Sequence, residues 1–169
     1  VDAGQITMRV RAPSNLGLDS TEKRVKAVEA FIKEMIPATD REMIVSEIGL
    51  NPDWSAAYTT NAGQQDAIIR IQLTTKRPRS AQEYAAMLRN GFNTKPEFND
   101  LRADFDTGGM ISTALNMGSS SPLDIEVEGG SQEESSKLAR NIRDQVSTIM
   151  GSADVRVQQR NDASYLVLD

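Results

Sequence analysis

Apolar and polar residues alternate near the start of the chain, and this pattern predicts a β-strand at residues 5–12. The side chains expected to face a core are Ile6, Met8 and Val10. A period of two is typical of a strand with one buried face. From residue 19 to residue 36 the apolar spacing changes to three and four, which predicts an amphipathic helix that ends before Pro37. We interpret Asp19 and Glu22 as a capping box at its start.

Three more strands and one more helix are predicted in the first two thirds of the chain. The strands are expected at 42–49, 66–74 and 101–107, and the helix at 80–92. Ser80 and Glu83 form a capping box, and the helix has an apolar face at helical spacing. The order β-α-β-β-α-β predicts an α+β protein with a ferredoxin-like split βαβ sandwich, in which both helices cover one sheet face.

The remaining residues predict about half of a second unit of the same kind. A strand at 123–128 is followed by a helix at 131–150, which begins with a Ser131–Glu134 capping box, and by strands at 154–159 and 165–168. Two or three strands under one helix are only marginally stable. We therefore divide the chain into a complete unit at 1–107, a connector at 108–121, a half unit at 122–160 and a final strand at 161–169.

Composition excludes several kinds of chemistry. The 169 residues include no Cys and no His, and the formal net charge is −5. A Cys nucleophile, a His general base and a zinc finger cannot form without these residues, and a net negative chain disfavours general nucleic-acid binding. No apolar run approaches the roughly 20 residues that span a bilayer. We expect a soluble piece, either processed or cut from a larger chain, with no catalytic residue and no cofactor.

Two candidate metal sites are weak. Asp104 and Asp106 begin a segment that resembles a calcium loop, but Gly108 and Leu115 occupy the fifth and twelfth positions, where the loop requires ligand oxygens. Met8, Met110 and Met117 offer thioethers to a soft metal, although Met more commonly fills apolar cores. We predict no metal site.

The sheet face that the helices leave uncovered is the candidate functional surface. Alternation is interpreted as placing residues of all four strands on it, namely Thr7, Arg9, Arg11, Val45, Glu47, Arg70, Gln72, Ala103 and Phe105. An ordinary solvated sheet face is one interpretation, because antiparallel sheets tolerate it. The other is one wall of a ligand cleft whose second wall is the half unit. The pattern alone does not choose between them.

Short segments spread over nearly the whole chain occur in an order that resembles a known family. They are Gly4-Gln5, Ala12-Pro13, Ser20-Thr21-Glu22, Asn61-Ala62-Gly63, Lys76-Arg77-Pro78, Ser121-Pro122-Leu123-Asp124-Ile125-Glu126-Val127 and Ala153-Asp154-Val155-Arg156-Val157-Gln158-Gln159-Arg160. The ordered set resembles the second large periplasmic loop of resistance-nodulation-division (RND) efflux transporters, the inner-membrane pumps of tripartite drug exporters.

The resemblance implies a place for each part of the chain. Residues up to 107 would form the first porter subdomain, 122–160 the first half of the next, and 165–168 the entry to a docking domain. In this family, substrate enters between the two porter subdomains and passes a glycine-containing switch loop. That loop is similar by position to 49–63, with Gly49, Leu50, Trp54, Tyr58 and Gly63. Cleft-lining positions are matched by Thr7, Arg9, Ala103, Phe105 and Thr107, and alternation adds Val45 and Glu47.

The implied function is part of a proton-driven pump of the hydrophobe or amphiphile branch. The metal-exporting branch of the family uses Met residues in this region, but Met8 falls on the inward strand face, which disfavours that branch. The expected partners are the parent transporter trimer, a periplasmic adaptor, an outer-membrane channel and a small amphiphilic substrate. The chain would lie on the periplasmic side of an inner membrane and would catalyse no reaction. A heavy-metal-exporting pump, a stand-alone ferredoxin-like module for a small ligand and a carboxylate enzyme are the alternatives.

Unpaired strand edges in the half unit lead to one further expectation. Such edges invite pairing with another chain, and the missing half of the unit should itself resemble βαβ. We therefore expect the isolated fragment to form a homodimer through residues 122–169.

Overall fold

The computed structural model describes residues 2–49, 63–108 and 123–157. The chain divides into two compact units, Val1–Pro122 and Leu123–Asp169. Leu50, Trp54 and Tyr58 of the predicted switch loop, most of the connector and the predicted strand at 161–169 lie outside the described residues. Among the described helices, none is both long enough and apolar enough to cross a bilayer.

The described part of the first unit contains one antiparallel sheet and two long helices. Its elements are β1 (Gln5–Arg11), α1 (Leu18–Met35), β2 (Arg41–Ile48), β3 (Asp66–Leu73), α2 (Ala81–Thr94), a short 3-10 helix (Pro96–Phe98) and β4 (Arg102–Asp106). The strand order is β2-β3-β1-β4, and every neighbouring pair is antiparallel. A βαββαβ chain with this strand order is the ferredoxin-like arrangement. The predicted α+β fold class is confirmed.

The core of this unit lies between one sheet face and the two helices. Alternate residues of β1 and β3 are buried on this face, including Ile6, Met8, Val10, Ile69 and Ile71. The helices contribute the stripes that their spacing predicted, with Val25, Val28, Phe31, Ile32, Tyr84, Leu88 and Phe92 buried. Full burial of a large apolar side chain contributes about 1.5–3 kcal/mol, so this packing determines which sheet face the helices cover.

The two helices begin differently. At α2 the predicted capping box is present: the Ser80 hydroxyl accepts from the Glu83 amide at 3.2 Å, and the Glu83 carboxylate accepts from the Ser80 amide at 2.7 Å. At α1 the predicted box is wrong, because the helix begins one residue earlier and its N-cap is Gly17. Asp19 therefore already lies inside the first turn, where its charge still favours the helix N-terminus.

Asp2 ties the start of the chain to the start of α2. Its carboxylate accepts hydrogen bonds from the Gly4 amide at 2.9 Å, from Arg77 at 2.6 Å and from the Ala81 amide at 3.2 Å. The Gly4 hydrogen bond is the main reason that the pKa of Asp2 lies below its ordinary value, and Arg77 and Ala81 add to it. These contacts hold β1, which carries several candidate residues, against the helical layer.

The second unit is described as one helix and its flanking segments. The helix α3 runs over Gln132–Ser147, and its Ser131–Glu134 capping box is present as predicted. The strands predicted at 123–128 and 154–159 are wrong for the residues that the structure describes, because 123–128 and 154–157 form no strand. A strand requires a hydrogen-bonded neighbour, and no described segment of this unit pairs with either. The four domain boundaries themselves stay a prediction.

Candidate functional site

The sheet face away from the helices, named the open sheet face, is built by alternate residues of all four strands. Residues directly opposite each other on neighbouring strands share a face, so the register arranges these side chains in rows. The first row contains Asp106, Thr7, Arg70 and Val45, and the second contains Asp104, Arg9, Ile68 and Glu47. The third row contains Arg102, Arg11 and Asp66. A fourth row, next to the first at the other end of the sheet, contains Gln5, Gln72 and Met43.

Four of the predicted binding residues lie together on this face. Thr7 and Val45 share one row, with Arg70 between them, and Arg9 and Glu47 share the next. Val45 is 39% exposed, so an apolar side chain is available beside charged ones. The face therefore offers both polar and apolar contacts to a ligand, although binding at these residues stays a prediction.

Ala103 and Phe105 lie on the opposite face, and their predicted placement is wrong. Ala103 pairs with Val10 and Phe105 pairs with Met8, so both side chains lie against the core. Arg89 of α2 lies over the Phe105 ring, 5.3 Å from its centroid. Thr107 follows β4 and is half-buried.

The physical reason for this placement is the composition of β4. Its apolar positions alternate with Arg102, Asp104 and Asp106, and burial of unpaired charges costs far more than burial of apolar groups. The charged set must therefore face solvent on the open sheet face, and the apolar set must enter the core. The alternation along the strand contained this signal.

Between residues that the structure describes, ion pairs connect each pair of neighbouring strands across the open sheet face. They are Arg9–Asp104 at 3.5 Å, Arg11–Asp66 at 3.5 Å and Arg70–Glu47. Partly exposed pairs of this kind contribute about 0–1 kcal/mol each. Their main effect is to distribute charge over the face rather than to hold the fold together.

Sequence reasoning missed several residues of this face. Asp66 and Asp104 supply two of the paired carboxylates, Asp106 and Arg102 lie at the β4 edge, and Met43 adds a thioether that is 55% exposed. Asp66 and Met43 are in the same alternation as the predicted residues on their own strands, whereas Arg102, Asp104 and Asp106 alternate with the predicted Ala103 and Phe105. The signal was therefore available in the alternation, once the inward set of each strand was known.

Asp66 also holds both described ends of the predicted switch loop. Its carbonyl accepts from the Gly49 amide at 2.9 Å, its carboxylate accepts from the Gly63 amide at 2.9 Å, and its own amide donates to the Gly63 carbonyl at 2.9 Å. Gly49 has φ +85°, a conformation that suits glycine. Because Asp66 pairs with Arg11, the base of the loop meets the third row of the open sheet face.

A second polar cluster lies on the helix side of the sheet. The buried Tyr84 hydroxyl donates to the buried Asp40 carboxylate, which also accepts from the Thr39 hydroxyl at 2.9 Å. Burial, and then the hydrogen bond to Asp40, raise the pKa of Tyr84 above its ordinary value. The cluster joins the α1–β2 turn to α2, so we assign it a structural role.

The described residues contain no group of three or more His, Cys, Asp and Glu side chains that could hold a metal ion. On the open sheet face, guanidinium, carboxylate, amide and apolar groups lie side by side. This combination suits reversible recognition of a ligand that has both a polar and an apolar part.

The solved structures of similar fold include two of the same kind of protein. Both are X-ray crystal structures of a heavy metal efflux pump, in crystal forms I and II, with TM-scores of 0.72 and 0.71 and sequence identities of 21% and 20%. They cover 91% and 89% of this chain. The chain shares its fold with part of a heavy metal efflux pump. It spans only 16% and 15% of the two pump chains. The sequence matches no protein-family model and no curated relative.

Proposed function

We propose that the chain is part of the periplasmic porter region of an RND-type efflux pump, and that the open sheet face is one wall of its substrate pathway. The observation that carries the proposal is the fold likeness to a pump over about nine tenths of the chain. The ordered sequence segments that resemble the RND periplasmic loop support it independently, because they depend on sequence and not on the fold.

In this proposal the chain acts within a transporter trimer on the periplasmic side of an inner membrane, with a periplasmic adaptor and an outer-membrane channel as partners. It catalyses no reaction. It binds substrate transiently while subdomains move against one another by hinge and shear. Proton flow through a membrane part outside this sequence supplies the energy.

The composition of the open sheet face favours a small amphiphile as the substrate. Val45 and Met43 are 39% and 55% exposed, Val45 lies directly opposite Arg70, and Met43 lies in the adjacent row of the same strand. Apolar side chains supply contact area, and guanidinium groups supply charge-assisted hydrogen bonds. A ligand with an apolar part and a polar part would satisfy both.

A heavy-metal ion is the second candidate substrate. The two structures of similar fold are those of a heavy metal efflux pump. The thioether of Met43, exposed on the open sheet face, is a soft ligand of the kind that binds copper(I). Met43 therefore separates the two candidates, because it offers apolar area to an amphiphile and a sulfur atom to a metal.

The experiment introduces Met43→Leu, Met43→Gln and Met150→Gln into the full-length parent transporter, in a bacterial strain without its own pumps. Growth is measured against an amphiphile series and against copper, silver and zinc salts. Met43→Leu keeps the apolar area and removes the sulfur, whereas Met43→Gln removes both. Met150, which is 98% exposed in the second unit, is the matched control for the Gln substitution.

For an amphiphile pump we expect Met43→Gln to lower amphiphile tolerance several-fold, while Met43→Leu and Met150→Gln remain near wild type. Loss of metal tolerance in both Met43 variants, with amphiphile tolerance unchanged, would establish the metal as substrate instead. If the parent confers neither tolerance, the proposed function is wrong.

A further inference from the structure

The third row of the open sheet face places two arginine residues directly opposite each other. Arg102 of β4 lies directly opposite Arg11 of β1, and side chains at such positions have Cβ atoms about 4.5–5.5 Å apart. Like charges placed directly opposite each other destabilise a sheet. An arrangement of this kind becomes favourable when an anion lies between the two groups.

Among the described residues of this face, Arg102 is an arginine without a carboxylate partner. Arg9, Arg11 and Arg70 each pair with a carboxylate on an adjacent strand. Arg102 is exposed, and within the described part of the chain it makes no hydrogen bond or ion pair. The nearest carboxylate along its own strand, Asp104, faces Arg9 at 3.5 Å. The third row therefore contains two arginines, of which Arg11 pairs with a carboxylate, that of Asp66.

We propose that Arg11 and Arg102 form a binding site for the anionic headgroup of an amphiphile, a carboxylate, sulfate or phosphate. A guanidinium group presents its N–H donors in a planar fork that matches such oxygens. Two guanidinium groups on adjacent strands offer an anion two forks at once. Because Arg11 is also held by Asp66, Arg102 is the group whose loss should affect binding most.

The apolar residues of the face provide a place for the tail. Ile68 lies one strand and one row from Arg11, which is about 8 Å at ordinary strand spacing and rise. Val45 lies one further strand and one further row away, about 17 Å from Arg11. A diagonal path thus leads from the guanidinium pair across Ile68 to Val45 and the neighbouring Met43. The path identifies anionic amphiphiles as a substrate class for the proposed pump. This assignment as a substrate site rests on that proposed function.

The test uses the full 169-residue chain in solution, labelled for NMR titration, with ligands below the concentration at which they form micelles. The probes are laurate, dodecyl maltoside, acetate and inorganic phosphate. Laurate combines a tail with an anion, the maltoside has a tail of the same length with an uncharged sugar headgroup, and the last two are free anions. The variants are Arg102→Gln, Arg102→Lys and Arg140→Gln. Arg140 is exposed on α3, so its substitution controls for net charge.

We expect laurate to bind more tightly than acetate, phosphate or the maltoside. Arg102→Gln should weaken laurate affinity about tenfold, as expected for loss of a charge-assisted hydrogen bond, and Arg102→Lys should weaken it less. Arg140→Gln should leave it unchanged. Equal affinity for laurate and the free anions would refute the amphiphile assignment, and laurate binding that is indifferent to Arg102 would refute the site.

The binding experiment tests the anion site, and the export experiment tests the proposed function, so either can fail without the other. Loss of the anion site with export intact in the parent would overturn only this inference. An intact site in a parent that exports nothing would overturn the pump assignment and leave an anionic-amphiphile binding surface on the chain.

Discussion

Tyr84 and Asp40 show how one hydrogen bond can set a pH limit on stability. Tyr84 is fully buried, and its hydroxyl donates to the buried Asp40 carboxylate. The folded pKa of Tyr84 therefore lies above the ordinary value of 10.0, first because of burial and then because of Asp40. Between these two pKa values the unfolded chain loses its proton while the folded chain keeps it. The contribution to stability is complete below pH 10 and falls as the pH rises further.

We predict that Tyr84→Phe lowers the free energy of unfolding at pH 7 and removes part of its fall above pH 10. The loss at pH 7 should be about 1–3 kcal/mol, because the Asp40 carboxylate loses a donor while it stays buried. The difference in slope above pH 10 can reach about 1.4 kcal/mol per pH unit, the value for one proton. Urea unfolding at pH 7 and at two values above pH 10 measures both effects.

Asp40→Asn alone, and combined with Tyr84→Phe, completes a double-mutant cycle. A neutral amide tolerates the missing hydroxyl better than a carboxylate does, so the Tyr84→Phe loss should shrink in the Asp40→Asn background. Parallel loss of stability above pH 10 in the wild type and Tyr84→Phe would show that Tyr84 does not control the alkaline limit.

Helix packing depends on one glycine. A Cβ atom on Gly91 of α2 would lie 3.0 Å from two ring carbons of Phe31 and 3.3 Å from the Met35 Cε. Phe31 cannot easily move away, because its ring packs edge-on against Phe92 and Phe98, with centroids 6.4 Å and 5.6 Å away. The absence of a side chain at this position lets α1 and α2 approach closely over the sheet.

We predict that Gly91→Ala lowers the free energy of unfolding by about 1 kcal/mol. Alanine gains roughly 1 kcal/mol of helix propensity, and overpacking a filled site costs about 1–3 kcal/mol. Asn90→Ala is the matched control, since Asn90 is exposed on the same turn and should show only the propensity gain. Phe31→Leu should provide room for the added methyl group and reduce the Gly91→Ala penalty. A stabilising Gly91→Ala would mean that the two helices pack less tightly than these distances indicate.

The elements of the first unit follow from local sequence patterns, and the exceptions have physical causes. The helical stripe of α2 and its Ser80 cap were predictable because spacing and capping chemistry are local. The α1 cap was not, because Gly17 and Asp19 both suit a helix start and only the path of the preceding loop decides between them. The strands predicted in the second unit failed because strand formation depends on a partner elsewhere in the chain.

For the candidate site, sequence alternation predicts which residues of a single strand share a face, but it does not predict which residues of neighbouring strands lie opposite each other. Thr7, Arg9, Val45 and Glu47 follow from alternation on β1 and β2. Which carboxylate meets which arginine depends on register, and no local pattern reveals that Arg102 lies opposite Arg11. The face that β4 presents could have been inferred from its apolar positions, because these must join the core.

At the scale of the whole molecule, the second unit presents an apolar stripe with little cover. Leu138, Ile142, Val146 and Ile149 recur at helical spacing, and Leu138 and Ile149 are 51% and 60% exposed. Association through this stripe would bury it. Antiparallel pairing of 123–128 with its own copy is less favourable, since the register that aligns all three apolar side chains places Asp124 opposite Glu126 of the copy, and the reverse. A homodimer of the chain should therefore form through α3.

We predict concentration-dependent dimers of the 169-residue chain, and a shift to monomer in Leu138→Gln. Sedimentation equilibrium over a wide concentration range measures the dissociation constant of each protein. Lys137→Gln is the matched control, because Lys137 is exposed beside Leu138 but carries no apolar surface of the stripe. Loss of one apolar side chain at each of two symmetric positions should weaken the dimer at least tenfold, since every 1.4 kcal/mol is a factor of about ten. A wild-type chain that remains monomeric at the highest concentration would show that this stripe does not bind a second copy.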